Sequence, residues 1–215
     1  MTNDDMFAAA APSPLVFEQR AWARGHSTVA GIDEAGRGPL AGPVVAAAAV
    51  LPHDFSLEGL DDSKKLSRAK REQLYPLIRQ QALTAVGVAS VAEIDRLNIL
   101  QATLLAMQRA LRRLPREPDH LLIDGTIPLP LALSQQTLKK GDSRSLSIAA
   151  ASVVAKVVRD RIMHSFDRHY PGYGFAQHKG YGTRQHRRSI QVLGPSPQHR
   201  RTFAGVSEWL GDQGD

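Results

Sequence analysis

The sequence predicts an α/β domain with a mixed central sheet flanked by helices and a small, partly helical C-terminal part. Three observations carry that expectation. The chain has 215 residues, 42% of them hydrophobic and 22% charged, which suits one globular domain with a sizeable core. Three early strand-like runs are followed by further apolar runs that alternate with stretches of helical period, the pattern of a sheet covered by helices. No internal repeat or low-complexity block points to a solenoid.

Taken in order, residues 1 to about 20 are rich in Ala and Pro and lack a period, so they read as a flexible tail. Ser27 to Asp33 is apolar and β-branched, a buried strand. Pro43 and Pro52 bracket VVAAAAVL, too short for a typical helix and suited to a second strand despite its alanines. Ser67 can cap a helix running RAKREQLYPLIRQQA, with Pro76 expected to kink or split it. Leu83 to Ala89 is the third strand. Ser90 and Glu93 form a capping box at the next helical start. Asn98 to Leu114 carries a helical apolar stripe ended by Pro115.

His120 to Gly125 and Gln136 to Asp142 are short runs that end in an acid, and Ser145 to Tyr170 is one long helical pattern. Beyond Pro171 the chain is rich in Gly, His and Arg, with a short helix from Thr183 to Leu193 stopped by Gly194-Pro195.

Charge and composition narrow the function. There is no cysteine, so neither disulfides nor a thiolate zinc site can form. The longest apolar run, Val44 to Leu51, falls far short of the ~18 residues of a membrane helix. The N-terminus has no basic region or apolar core of a secretory signal, and a cytoplasmic protein is expected. The net charge is +6, and Lys139 to Arg201 holds thirteen Lys/Arg (139, 140, 144, 156, 159, 161, 168, 179, 184, 187, 188, 200, 201) against Asp142, Asp160 and Asp167. Such asymmetry is the usual footprint for a polyanion, although charge alone also fits a solvated basic face.

Three candidate strands end in carboxylates: Asp33 with Glu34, Asp124, and Asp142. Ends of neighbouring strands converge on one sheet edge, where α/β ligand sites tend to lie. Adjacent strand residues face opposite ways, so the strand must stop or twist if Asp33 and Glu34 are to share a site. The following Ala-Gly-Arg-Gly can make that turn. Four acids together need cations to offset their repulsion, and an all-oxygen set suits Mg²⁺ or Mn²⁺. Two such ions can activate a water and stabilise a leaving oxygen in phosphodiester cleavage. Taken alone, Asp124 and Asp142 could equally cap turns, Asp142 at the long helix. A dinucleotide-binding turn is excluded, because the third glycine, Gly42, falls one residue late and a strand follows, not a helix.

GIDEAGRGPLAGPVVAAAAVL from Gly31, DSKKLS from Asp62, LLIDG from Leu121, KGDSRSLSIAAASVVAKVVRD from Lys140, YGFAQHKGYGT from Tyr173 and HRRTF from His199 occur in that order. Together they closely resemble the motifs of bacterial ribonuclease HII, over roughly residues 28 to 205. The resemblance implies a ribonuclease-H-like fold, with a catalytic domain over 21–170 and a basic segment, 171–215, packed on it. It implies an endonuclease that cuts RNA in RNA–DNA hybrids and nicks at single ribonucleotides in duplex DNA, leaving a 3′-hydroxyl and a 5′-phosphate. It implies that Asp33, Glu34, Asp124 and Asp142 are the catalytic, metal-binding carboxylates, served by Mn²⁺ or Mg²⁺, with two ions during catalysis.

By the same resemblance, Gly36, Arg37 and Gly38 read the ribonucleotide's 2′-hydroxyl and grip phosphate, and Tyr181 packs on the sugar; otherwise Tyr181 is an ordinary half-buried tyrosine. Weaker candidates for substrate contact are Lys64, Lys179 and Arg184. Lys156 and Asp160, four apart on the long helix, read as an intrahelical ion pair. His164, His169, His186 and His199 show no ligand spacing and read mostly as surface residues. Ser145-Leu-Ser-Ile departs from the lead-in of many members after the last acid. The chain runs only about ten residues past HRRTF, so a sliding-clamp-binding extension is not expected, and a monomer is. A catalytically silent nucleic-acid-binding protein, or another nuclease or integrase on this fold, is the alternative.

Overall fold

The computed structural model describes residues 15–60, 63 and 66–210. Its core is a five-stranded sheet in the order β3-β2-β1-β4-β5. Strands β1 (Val29–Ala35), β2 (Val44–Val50) and β3 (Leu83–Ala89) pair antiparallel, whereas β1, β4 (His120–Asp124) and β5 (Ser134–Leu138) pair parallel. The mixed sheet is as expected. Between β3 and β4 lie α3 (Val91–Leu97) and α4 (Ile99–Arg112), separated by Asn98, whose left-handed backbone and side-chain oxygen cap α4. Helix α4 packs on one face of the sheet. The 24-residue α5 (Leu146–His169) packs on the other, beside α2 (Arg68–Gln81).

The alanines of β2 explain how both helices come so close. Val44, Ala46 and Ala48 face α4, while Ala47 and Ala49 face α5, all without solvent exposure. Small side chains on both faces let a central strand be sandwiched without voids. Two glycines mark the tightest approaches of sheet backbone to helix backbone. A Cβ at Gly31 would lie 2.2 Å from the Ser147 carbonyl carbon, and one at Gly87 2.0 Å from the Ala106 carbonyl oxygen.

Four expectations are corrected. The tail does not extend to residue 20, because α1 (Val16–Ala23) buries Phe17 and Ala21 against Val29, Leu122, Leu138 and Ile148. Glu18, also buried, accepts hydrogen bonds from the hydroxyls of Ser145 (2.5 Å) and Ser147 (2.6 Å) and from the Ser147 amide (2.9 Å), tying α1 to the start of α5. Pro76 does not split α2; it lies on the exposed side, where water can satisfy the carbonyl it leaves unbonded. Asp142 is neither at a strand end nor a helix cap: β5 stops at Leu138, Asp142 sits in a 3-10 turn (Gly141–Ser143), and Ser145 caps α5 through the Ile148 amide.

Beyond α5, the described residues continue through the short helix α6 (Phe175–His178), α7 (Arg184–Leu193) and a 3-10 turn (Ser207–Trp209). Tyr173 and Phe175 pack with Ala41 and Met163, and Ile190 and Val206 with Leu40, so this segment lies on the loop that follows β1. Among the described residues, no helix is long and apolar enough to cross a membrane.

Candidate active site

Parallel pairing of the two central strands sets Ile32 beside Ile123, which brings Asp33 and Asp124 level at the same sheet edge. Asp142 arrives from the 3-10 turn. Lys140 takes a left-handed conformation to enter that turn, and the Gly141 amide donates to Asp124 Oδ1 at 2.7 Å. A Cβ at position 141 would lie 2.6 Å from Ile148 Cδ1 and 3.1 Å from Leu138 Cβ, so any larger residue would have to displace buried side chains for the turn to sit this close. One carboxylate oxygen each from Asp33, Asp124 and Asp142 then lies within 4.8 Å of the others.

This cluster is electrostatically costly. Asp33 is 2% exposed, and burial, followed by the charges of Glu34 and Asp124, pushes its carboxyl well above the usual carboxylate range. Its Oδ1 accepts the Glu34 amide at 2.7 Å, while its Oδ2 is buried without a hydrogen-bond partner. An orphaned buried oxygen within a triad of hard oxygen donors fits a divalent cation such as Mg²⁺ or Mn²⁺.

Glu34 is not part of the triad. Strand β1 continues through Ala35, so Asp33 and Glu34 keep their alternation and face opposite ways. Glu34 instead lines a cleft of about 140 Å³ with Arg37, Asp124, Thr126 and Ile127, its Oε1 3.4 Å from Arg37 Nη1. Asp124 borders both spaces.

Beside the acids lies a layer of loops. Gly36 has φ +99°, and a Cβ there would collide with the Arg159 side chain. Arg37 and Gly38 are exposed, and Tyr181 Cε1 is 3.8 Å from where a Gly38 Cβ would be. Tyr181 is 48% exposed, and the Leu40 amide donates to the Gly180 carbonyl at 2.8 Å, so the HKGY segment is docked on the glycine-rich loop. Lys179 turns its ammonium back to the Ala176 carbonyl. Arg184 is exposed at the start of α7. Lys64 lies outside the described residues.

What holds this layer was only partly visible in the residue pattern. Arg200, fully buried, donates to the carbonyls of Gly36, Arg37 (2.7 Å) and Gly42 (3.0 and 2.9 Å). Arg159 donates to Pro43 (3.0 Å), Ala41 (3.1 Å) and Lys179 (3.1 Å). Burial pulls Arg159 down to about 10 and Arg200 to about 9, so both stay cationic near neutrality. Neither forms an ion pair with a carboxylate among the described residues. A signal for Arg159 was present: with Ser152, Ala155 and Met163 it falls on one otherwise small or apolar helix stripe. The expected Lys156–Asp160 pair forms at 2.7 Å. His186 and His199, expected at the surface, are instead buried, in ring contact with Phe175. His164 and His169 lie on α5, His169 bonded to the Ser165 carbonyl.

A family model described as Ribonuclease HII matches residues 30–206. A relative from Syntrophotalea carbinolica named Ribonuclease HII is 62% identical over 207 residues, covering 96% of this chain and 99% of its own. Among solved structures, the ribonuclease H2 from Pyrococcus horikoshii OT3 superposes with a TM-score of 0.71 at 27% identity, covering 85% of this chain and 96% of that one. A Bst-RNase HIII in complex with Mn²⁺ shares the fold, with a TM-score of 0.68 at 23% identity over 85% of this chain and 69% of its own.

Proposed function

The chain belongs to the ribonuclease HII family, a family of endoribonucleases, and from that premise we propose that it cuts the RNA strand of RNA–DNA hybrids and nicks 5′ of single ribonucleotides in duplex DNA. The products carry a 3′-hydroxyl and a 5′-phosphate, and the role is removal of ribonucleotides from DNA in the cytoplasm, by a monomer. One observation supports the reading above others: Asp33, in the acid triad, and Gly38, beside Tyr181, are only five residues apart on one strand end and its loop.

Asp33, Asp124 and Asp142 would hold Mg²⁺ or Mn²⁺, and Glu34, in the adjoining cleft that Asp124 also borders, would complete the set from the other side of Asp124. Bound there, two such ions would activate a water and stabilise the leaving 3′-oxygen. The remaining work belongs to the chain. Exposed Arg37 grips the phosphate next to the scissile one, exposed Gly38 admits the sugar edge close to the backbone, and buried Gly36 shapes the loop by leaving room for Arg159 beneath it. Tyr181 packs on that sugar, and the 2′-hydroxyl is the group that separates RNA from DNA. The residues up to 170, helix α1 included, would form the catalytic domain, and the basic segment from 171, described to residue 210, packs on it.

A duplex with one embedded ribonucleotide, incubated with Mg²⁺ or Mn²⁺, should be nicked 5′ of it while an all-DNA duplex stays intact. A chelator should stop the cut and spare binding. Equal cutting of both duplexes would refute the reading, and binding with no cut under either metal would leave a silent binding protein.

A further inference from the structure

Tyr181 combines an exposed ring with an over-determined backbone, and the groups that determine it are histidines. The Ser196 amide donates to His199 Nδ1 at 2.8 Å, so that nitrogen carries no proton, and the neutral ring bears its proton on Nε2. His199 Nε2 lies 3.0 Å from His186 Nε2, which must therefore accept. His186 then bears its proton on Nδ1, which lies 2.9 Å from the Tyr181 carbonyl and donates to it. A single set of tautomers satisfies every contact from Ser196 to Tyr181. A third ring closes the other side: His178 Nδ1 accepts the Gly180 amide at 3.1 Å, and its Nε2 donates to the Tyr173 carbonyl at 2.7 Å. The rings of His178 and His186 stack at 4.3 Å. His186 and His199 are 0% and 1% exposed, so neither can serve as a surface contact.

We propose that His199 and His186 are positioning residues: through this directed hydrogen-bond relay they fix the Tyr181 peptide, and hence aim the Tyr181 ring over Gly38. The inference rests on the reading of Tyr181 as the sugar contact. A histidine that merely fills the core would be replaceable by any group of similar shape. A relay requires the donor on the Nε2 side in particular, and that difference can be tested.

His199→Gln keeps a donor where Nε2 stands, whereas His199→Asn keeps only an acceptor where Nδ1 stands. In cleavage of the one-ribonucleotide duplex, His199→Asn should lower kcat/KM about tenfold, and His199→Gln should recover most of that loss. In a Tyr181→Ala background, His199→Asn should have no further effect, since the relay acts only through Tyr181. If Tyr181→Ala alone left cleavage unchanged, the reading of Tyr181 would fail, and the relay with it as a specificity device. If Tyr181→Ala impaired cleavage but His199→Asn did not, or if the two losses simply multiplied, the relay would be wrong while the reading of Tyr181 stood. Should His199→Asn not fold, nitrogen NMR of the wild-type histidines decides: His199 must be protonated at Nε2 and His186 at Nδ1. The opposite tautomer on either ring overturns the proposal.

Discussion

Asp33, Asp124 and Asp142 ride on the ends of laddered strands and on a turn bonded to one of them, so regular backbone pairing puts them in place. A few residues along the chain, Gly36 to Pro43 follows a different logic. It has a single bridge, Ala41 to His199, and its carbonyls are held by two buried guanidinium groups from residues more than a hundred positions away. The first region concentrates negative charge at a rigid edge. The second places positive charge, without a carboxylate ion pair among the described residues, beneath a loop that presents Arg37 outward. The contrast suggests a division of labour: the edge tolerates loss of a charge without losing shape, whereas the loop layer loses shape when a charge is lost.

The largest expected effect tests the edge. Asp33→Asn should lower kcat by about a thousandfold or more, because one donor of the triad no longer carries charge. Without metal it should not destabilise the protein, since burial, Glu34 and Asp124 already disfavour the Asp33 carboxylate. Thermal melts in chelator, run beside single-turnover cleavage, check both halves. A markedly lower Tm would show that the carboxylate is structural.

Next comes the loop layer. Arg200→Met retains much of the buried stem but strands the carbonyls of Gly36, Arg37 and Gly42, at a cost of about 3 kcal/mol or more. Arg200→Lys should recover little, because one ammonium cannot span acceptors that a planar fork reaches together. Urea denaturation measures both. A loss below about 1 kcal/mol for Arg200→Met would mean that the loop supports itself.

How far the sequence discloses each region follows from the same contrast. Strand-ending acids are local, and alternation plus the small residues of β2 expose the sheet that carries them. Glu18 is harder: it falls in an Ala- and Pro-rich stretch, and only its distant partners Ser145 and Ser147 give it meaning. Arg159, His186, His199 and Arg200 read as part of a basic surface because charge counts cannot register burial. Their partners are main-chain carbonyls, amides and each other, which leave no trace in residue type. Glu34 shows the reverse: its motif groups it with Asp33, while the unbroken strand turns it to the other face.

Acid should separate the two regions by sign. His186 and His199 sit at about 4 in the folded state, chiefly through burial, against 6.5 ordinarily. Unfolded chains therefore take up protons first, and stability falls as pH drops from about 6.5 toward 4, levelling below that. Asp33 is shifted the other way, so acidification relieves the acid edge while it strains the loop layer. Unfolding free energies from urea titrations in chelator should decline by on the order of 2 kcal/mol between pH 7 and 4.5. In His199→Phe, which has nothing to protonate at that position, the decline should be smaller. An undiminished decline would assign the acid sensitivity elsewhere.

The smallest effect concerns the outer face of α7, where the basic excess meets solvent. Arg187 is engaged, its Nε donating to the Gly182 carbonyl at 3.1 Å, so replacing it would disturb the Tyr181 segment itself. Arg184 and Arg188 are exposed and have no hydrogen bond or ion pair among the described residues. They are the cleaner probes of phosphate contact. Arg184→Ala and Arg188→Ala should each reduce the slope of log binding constant against log salt by about 1, with kcat on bound substrate unchanged. If the slope changes and kcat does not, the basic face adds grip independently of the loop layer. If kcat falls while the slope stays, α7 acts through Tyr181, and the separation between gripping and positioning collapses.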